Sequence, residues 1–185
     1  VTGKEVDVAS TLLKAAQALS DGKLVTVDLV VKGVLPAVRA SDLNGINGRL
    51  ASFTTTYDVS DEDRTHNIRI AAGKLNSMLI KSGEVVSFND RVGTRLPKEG
   101  YRMAPTMAST GIVMDWGGGV CQVSSTFYNA ALLADFTVLE RSAHYQPPAY
   151  VPLGLDATVA DGQIDLKLKS SSAFPMYIKT IVEDG

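Results

Sequence analysis

The sequence predicts a mixed α+β fold with a mostly antiparallel sheet and about three helices. Apolar residues recur at helical spacing over 7–20, 64–81 and 121–135. Strict alternation occurs over 24–32 and again near the C-terminus, where Ile164, Leu166 and Leu168 interleave with Asp165, Lys167 and Lys169. No internal repeat or low-complexity run competes with these signals. The 185 residues are 45% hydrophobic and 21% charged, a globular balance and enough chain for a core. A net charge of −2 leaves no basic excess to grip nucleic acid or an anionic membrane, so neither is expected as a partner. No apolar run reaches the roughly 18 residues of a membrane span.

The first helix, 7–20, carries Val8, Leu12, Ala15, Ala16 and Leu19, with Asp7 as N-cap and Gly22 beyond its end. A strand over 24–32 follows, with Val25, Val27, Leu29 and Val31 on one face, ended by Pro36. Turns at Asn44-Gly45 and Asn47-Gly48 close an αβ unit over 1–48, read as the tail of a preceding domain; residues 49–185 form the main domain. The stretch 49–57 is extended, and Asp58, Asp61, Glu62 and Asp63 form a solvated loop. Ile68, Ala71, Ala72, Leu75 and Leu79 stripe the second helix, 64–81, with Gly83 after it. Residues 84–88 make a short strand. From 89 to 115 the pattern is irregular, punctuated by Gly93, Pro97, Gly100, Pro105 and Gly111. The third helix, from 122 to 135, buries Val123, Phe127, Ala130, Ala131 and Ala134, and residues 176–183 form a final strand.

The chemistry centres on Gly117-Gly118-Gly119-Val120-Cys121. Glycines permit a sharp turn and close approach of a substrate. A helix start leaves N–H groups unpaired and favours a thiolate in its first turn. Amides of Gly118, Gly119 and Cys121 would then form an oxyanion hole beside the nucleophile, each such donor contributing about 3 kcal/mol. The competing reading is a tight turn followed by a buried cysteine. With one Cys and two His, cysteine-rich zinc sites and internal disulfides are excluded, and no metal or cofactor is expected. A thiol works with a base. His144 is the first candidate; His66, at a helix start where the dipole disfavours imidazolium, is the second. Asp156 and Asp165 are the candidates to orient it, and Asp156 is carried into the catalytic set. Arg95, Arg102 and Arg141 are candidates to hold a substrate carboxylate. Trp116 and Tyr150 would line a groove, with Ser124 beside the nucleophile.

The run from Gly117 through Gln122, Val123, Ser124, Ser125 and Thr126, then Tyr128-Asn129-Ala130, resembles the signature of the VanW domain family. Glu140-Arg141-x-x-His144, the segment from Tyr150 to Val159, Asp165-Leu166-Lys167-x-Lys169, Arg64-x-His66-Asn67-Ile68, Phe88-Asn89 and Gly100-Tyr101-x-x-Ala104-Pro105 also match. Ser82, Thr94 and Tyr145 stand where Pro, Pro and Ser are usual. Residues 1–45 resemble the end of a peptidoglycan-binding domain. The resemblance implies a cysteine L,D-transpeptidase of the bacterial cell wall, extracytoplasmic, in a protein that is membrane-anchored or secreted although this fragment makes no membrane contact. It implies Cys121 as nucleophile, His144 as base, a tetrapeptide stem as donor and a diamino-acid stem as acceptor, with L,D-carboxypeptidase activity when water replaces the acceptor. The alternatives are a non-catalytic peptidoglycan-binding or glycopeptide-resistance accessory module, and a Cys-His endopeptidase.

Overall fold

The computed structural model describes residues 2–20, 22, 26–36, 38–108 and 111–184. The chain divides into two compact units, Val1–Asn44 and Gly45–Gly185. In the first, β1 (Gly3–Val6) pairs antiparallel with β2 (Val31–Val34), Gly3 opposite Val34 and Val6 opposite Val31. Between them lies α1 (Val8–Ser20). Asp7 caps it, accepting from the Ser10 amide at 3.0 Å and the Ser10 hydroxyl at 2.8 Å. The apolar stripe of α1 is not buried: Leu12, Leu13 and Leu19 are 63–77% exposed. The strand expected over 24–32 reaches regular structure only at Val31 and continues to Val34; Leu24 and Val25 lie outside the described residues. β1 gave no signal in sequence because all four of its residues are exposed, and it exists only by pairing with β2.

In the second unit α2 (Glu62–Leu75) starts under an Asp61 cap whose carboxylate accepts from the Arg64 amide at 3.1 Å. It stops well before 81. Ser77 adopts a left-handed φ of 62°, and Met78–Ile80 becomes β3. Leu79 therefore belongs to a strand, not to the helical stripe. The reason is non-local: β3 pairs antiparallel with β9 (Met176–Ile178), and periodicity within a window cannot register a partner near the other end of the chain. β4 (Val85–Ser87) leads into the short α3 (Phe88–Val92), capped by the Ser87 hydroxyl.

The stretch read as irregular over 89–115 contains, besides α3, an antiparallel hairpin of β5 (Met103–Ala108) and β6 (Gly111–Trp116). β6 has no buried residue, so no polar–apolar alternation marks it in sequence. α4 (Val120–Leu133) follows. Then come β7 (Thr137–Glu140), also unread from sequence and mostly exposed, and β8 (Lys167–Lys169). β8 is the middle strand of a three-stranded antiparallel sheet with the order β4-β8-β7, its Leu168 buried and its lysines exposed. Residues 179–183, expected to prolong β9, have no regular structure.

The expected α+β class therefore holds, with several small antiparallel sheets in place of one. The core gathers Ile68 and Leu75 of α2, Val123 and Phe127 of α4, Phe88, Leu166 and Leu168. It fixes the start of α4 against α2. Among the described residues no helix is long and apolar enough to cross a membrane.

Candidate functional site

The site begins where β6 turns into α4. Gly117 donates its amide to Arg102 O at 3.1 Å. A Cβ on Gly118 would lie 2.7 Å from Ala104 O and 2.8 Å from Pro105 O, both backbone, so only glycine fits. Gly119 has a φ of 103° and is the N-cap of α4. Asn67, wholly buried on α2, holds this turn: its Nδ2 donates to Arg102 O at 2.9 Å and Gly118 O at 3.0 Å, and its Oδ1 accepts from the Arg102 amide at 2.9 Å. Among the described residues the amides of Gly118, Gly119 and Cys121 have no hydrogen-bond partner, whereas those of Val120 and Gln122 bond back to Gly117 and Gly119. Gly118 is buried and Gly119 half-buried.

Replacing Gly118 with alanine tests this turn. The added methyl meets fixed carbonyl oxygens, so a loss of about 2–3 kcal/mol is expected. For a chain of this size the melting temperature should fall by roughly 5–10 °C. An unchanged melt would contradict the close approach.

Cys121 is half-buried in the first turn of α4, and its thiol donates to Val159 O at 3.5 Å. The segment 155–159 runs beside this helix start and is tied to it by three side chains of α4. The Ser124 hydroxyl donates to Ala157 O at 2.5 Å. The Ser125 hydroxyl accepts from the Ala157 amide at 2.9 Å and donates to Cys121 O at 2.7 Å. Asn129 Nδ2 donates to Leu155 O at 2.7 Å. On the other side of the segment the Thr158 amide donates to Ser142 O at 2.8 Å, which brings the 141–144 loop alongside.

Those two segments assemble an acid–base pair. Asp156 Oδ2 accepts from the His144 amide at 2.6 Å and faces His144 Nδ1 at 2.7 Å. Asp156 Oδ1 accepts from Arg141 at 2.8 Å, and Arg141 Nε donates to Asp156 O at 2.7 Å. The side chains of His144 and Asp156 are only 8% and 6% exposed, so their contact is little screened. Burial disfavours the charged His144 ring, but the adjacent Cys121 sulfur and the Asp156 carboxylate outweigh it and raise its pKa. Burial likewise opposes the Asp156 carboxylate, and the His144 amide and ring overcome it, holding its pKa below the usual range. With Nδ1 on Asp156, Nε2 is the nitrogen left to exchange a proton with the thiol.

Tyr150 completes the wall, its ring edge-on to His144 with centroids 6.5 Å apart. Burial and the nearby Cys121 sulfur keep its phenol protonated well above neutral pH, with Ser125 and Arg64 pulling the other way. Gln122, next to the nucleophile, is 3% exposed; its Nε2 donates to Thr55 Oγ1 and Thr56 O, and its Oε1 accepts from Arg64 at 2.6 Å. A cavity of about 340 Å³ opens between Gln122 and Tyr150. A larger one, about 570 Å³, is lined by Arg95, Glu140 and Asp161 and includes neither Cys121 nor His144. The smaller cavity is not lined by them either, but its wall includes Gln122, the chain neighbour of Cys121, and Tyr150, whose ring stands edge-on to His144.

The structure thus brings Cys121, His144, Asp156 and Tyr150 together. It puts other expected residues to different uses. Ser124 is fully buried with its hydroxyl turned inward, so it ties the helix to 157 and is not open to a substrate. Arg141 serves Asp156. The guanidinium of Arg95, 7% exposed, is engaged by Asp161 and Asn89. Arg102 pairs with Asp63 at the surface. Trp116 is 41% exposed at the end of β6. Asp165 accepts from the Ser87 hydroxyl and the amides of Asn89 and Leu166, a capping role. His66 Nε2 pairs with Gly100 O at 2.9 Å. Asn67, Gln122, Ser125 and Asn129 were given no role from sequence; their signals were their places in the motifs that resemble the VanW family and, for those of the third helix, the clustering of polar residues where an amphipathic helix would be apolar.

The chain matches the family model described as VanW-like protein over residues 63–185. It is 34% identical over 131 residues to Uncharacterized protein YoaR of Bacillus subtilis, covering 71% of this chain and 43% of that one. It is 30% identical over 141 residues to Vancomycin B-type resistance protein VanW of Enterococcus faecalis, covering 73% of this chain and 51% of that one. The chain spans about half the length of these curated relatives. No solved structure matches it.

Proposed function

Because this chain belongs to the family of VanW-like proteins, we propose that it acts on bacterial cell-wall peptidoglycan, outside the cytoplasmic membrane, as a cysteine-dependent L,D-transpeptidase. The observation that carries this reading is the chain of hydrogen bonds from Arg141 through Asp156 to His144, set near a half-buried thiol at a helix start whose charge helps raise the His144 pKa. The naming of one relative as a vancomycin resistance protein fits a cell-wall substrate.

In the proposed reaction the Cys121 thiolate attacks the carbonyl of the third stem residue. The oxyanion takes hydrogen bonds from the unpaired amides of the glycine turn. The C–N bond to the terminal D-alanine breaks, and the leaving amine takes its proton from the His144 imidazolium. A side-chain amine of a second stem then attacks the thioester, gives its proton to His144 and expels the thiolate. The product joins the third residues of two stems; water in place of the amine gives L,D-carboxypeptidase activity. Asp156 holds the ring in the tautomer that presents Nε2 and stabilises the imidazolium.

The test is intact-mass spectrometry after mixing the chain with a disaccharide-tetrapeptide. The expected result is a covalent adduct on Cys121 equal to the donor minus D-alanine, with cross-linked dimer among the products. Cut peptides without dimer would favour an endopeptidase. Binding to sacculi with no adduct and no D-alanine release would favour an accessory module.

A further inference from the structure

Arg64 is not needed for any step above, yet it flanks the nucleophile on both sides. Its methylene stem lies over Gly119, so closely that a Cβ there would meet Arg64 Cγ at 3.0 Å. Its guanidinium donates to Oε1 of Gln122 at 2.6 Å. Gly119 precedes Cys121 by two residues and Gln122 follows it directly, so Arg64 is anchored to residues that flank the nucleophile in the chain. Among the described residues only one of its guanidinium nitrogens is engaged. Among the described residues its other N–H donors have no hydrogen-bond partner.

Those donors border the cavity of about 340 Å³ lined by Thr56, Tyr57, Asp58, Gln122 and Tyr150, in which Arg64 is the one cation among the described lining residues. Gln122 is itself locked by Thr55 and Thr56, so the fork is held in place. A planar, partly engaged guanidinium at the edge of a cavity is built for a carboxylate. Asp58 sits on the same wall, ionised and held by Ser60. Its charge opposes any anion in the cavity and opposes a doubly charged phosphate more than a monocarboxylate held by the Arg64 fork.

We propose that Arg64 and this cavity form the subsite for the free C-terminal carboxylate of the donor peptide, one residue beyond the scissile bond. This rests on the acyl-transfer reading of Cys121. The carboxylate of a terminal residue follows the scissile carbonyl by about one Cα–Cα step of 3.8 Å, and Arg64 is anchored to residues on either side of the nucleophile. The subsite makes the protein select chain ends over internal peptide bonds. Neither Arg95, Arg102 nor Arg141 fills this role, because each is engaged by a carboxylate of the protein itself.

The test separates binding from chemistry. The full chain carrying Cys121→Ala is titrated with N-acetyl-L-lysyl-D-alanine and with its C-terminal amide, followed by NMR. The acid should bind at least about tenfold more tightly than the amide. Arg64→Met, which keeps the stem over Gly119, should bring the two within about twofold, and Arg64→Lys should restore part of the gap. Equal affinity for acid and amide, binding of neither, or an acid preference that survives Arg64→Met would overturn the subsite even if cysteine-dependent turnover is intact. An Arg64-dependent preference in a chain that releases no D-alanine would instead remove the transpeptidase reading and leave the carboxylate subsite standing.

Discussion

Replacing Cys121 with alanine should abolish D-alanine release and dimer formation together, a fall of at least about a thousandfold in kcat/KM. The two losses are coupled because both products pass through one thioester. Folding should be almost untouched. The thiol is half-buried, and its hydrogen bond to Val159 O is long at 3.5 Å, so stability should change by less than about 1 kcal/mol. The variant therefore separates chemistry from structure cleanly. Quantifying released D-alanine alongside a thermal melt gives both readings. Activity in a well-folded alanine variant would exclude covalent catalysis at this position, whatever the substrate.

The second large effect is expected from Asp156→Asn, which keeps the shape of the side chain and removes its charge. An amide facing His144 Nδ1 no longer enforces the tautomer that leaves Nε2 for the thiol. A loss of about 10²–10⁴ in kcat follows, with little change in KM. The pH profile should move as well. His144 has a raised pKa, in part through Asp156, so its imidazolium persists to higher pH than that of a free histidine. Without the carboxylate that pKa falls, and the alkaline limb of activity, where the proton donor to the leaving amine is lost, shifts to lower pH. A profile identical to the parent's would mean that Asp156 does not act through the ring.

Stability carries the same signature. The Asp156 pKa is lowered on folding, so its contribution is complete above the ordinary carboxylate value of 3.8 and is lost as pH falls through its folded value. The His144 contribution has the opposite sign: it is complete below 6.5 and fades as pH rises through the raised folded value. Difference melts between the parent and Asp156→Asn should thus be largest between these limits. A difference independent of pH would point to lost packing instead of lost charge.

The polar residues at the start of α4 divide the work of the site between two faces. Ser124, Ser125 and Asn129 face the 155–157 segment and set where Asp156 stands, while Gln122 faces the extended 55–56 segment and, with Arg64, sets the wall of the cavity. The nucleophile lies between these faces, at the seam of two clamps. Asn67 acts from α2 on the turn itself, so that α2 and α4 together fix the three glycines.

Local chemistry was readable from the chain as written. A triple glycine before a cysteine and an apolar stripe after it mark a turn feeding a helix, because glycine φ freedom and helical periodicity act over a few residues. The cap at Asp7, the helices starting near 8, 64 and 121, and the alternation around Leu168 are equally local, whereas Asp61, read as part of a solvated loop, caps α2 and Glu62 and Asp63 form its first turn. What depended on partners distant in sequence was decided only by the folded chain. Pairing with β9 converted Met78–Ile80 from helix to strand, and cross-strand hydrogen bonds made a hairpin of Met103–Trp116. The choice of Asp156 over Asp165, the inward turn of Ser124, and the diversion of Arg95, Arg102 and Arg141 to internal carboxylates are of the same kind. The physical reason is that residue type fixes which hydrogen bonds and charges a side chain offers, whereas tertiary packing fixes which partner stands within reach.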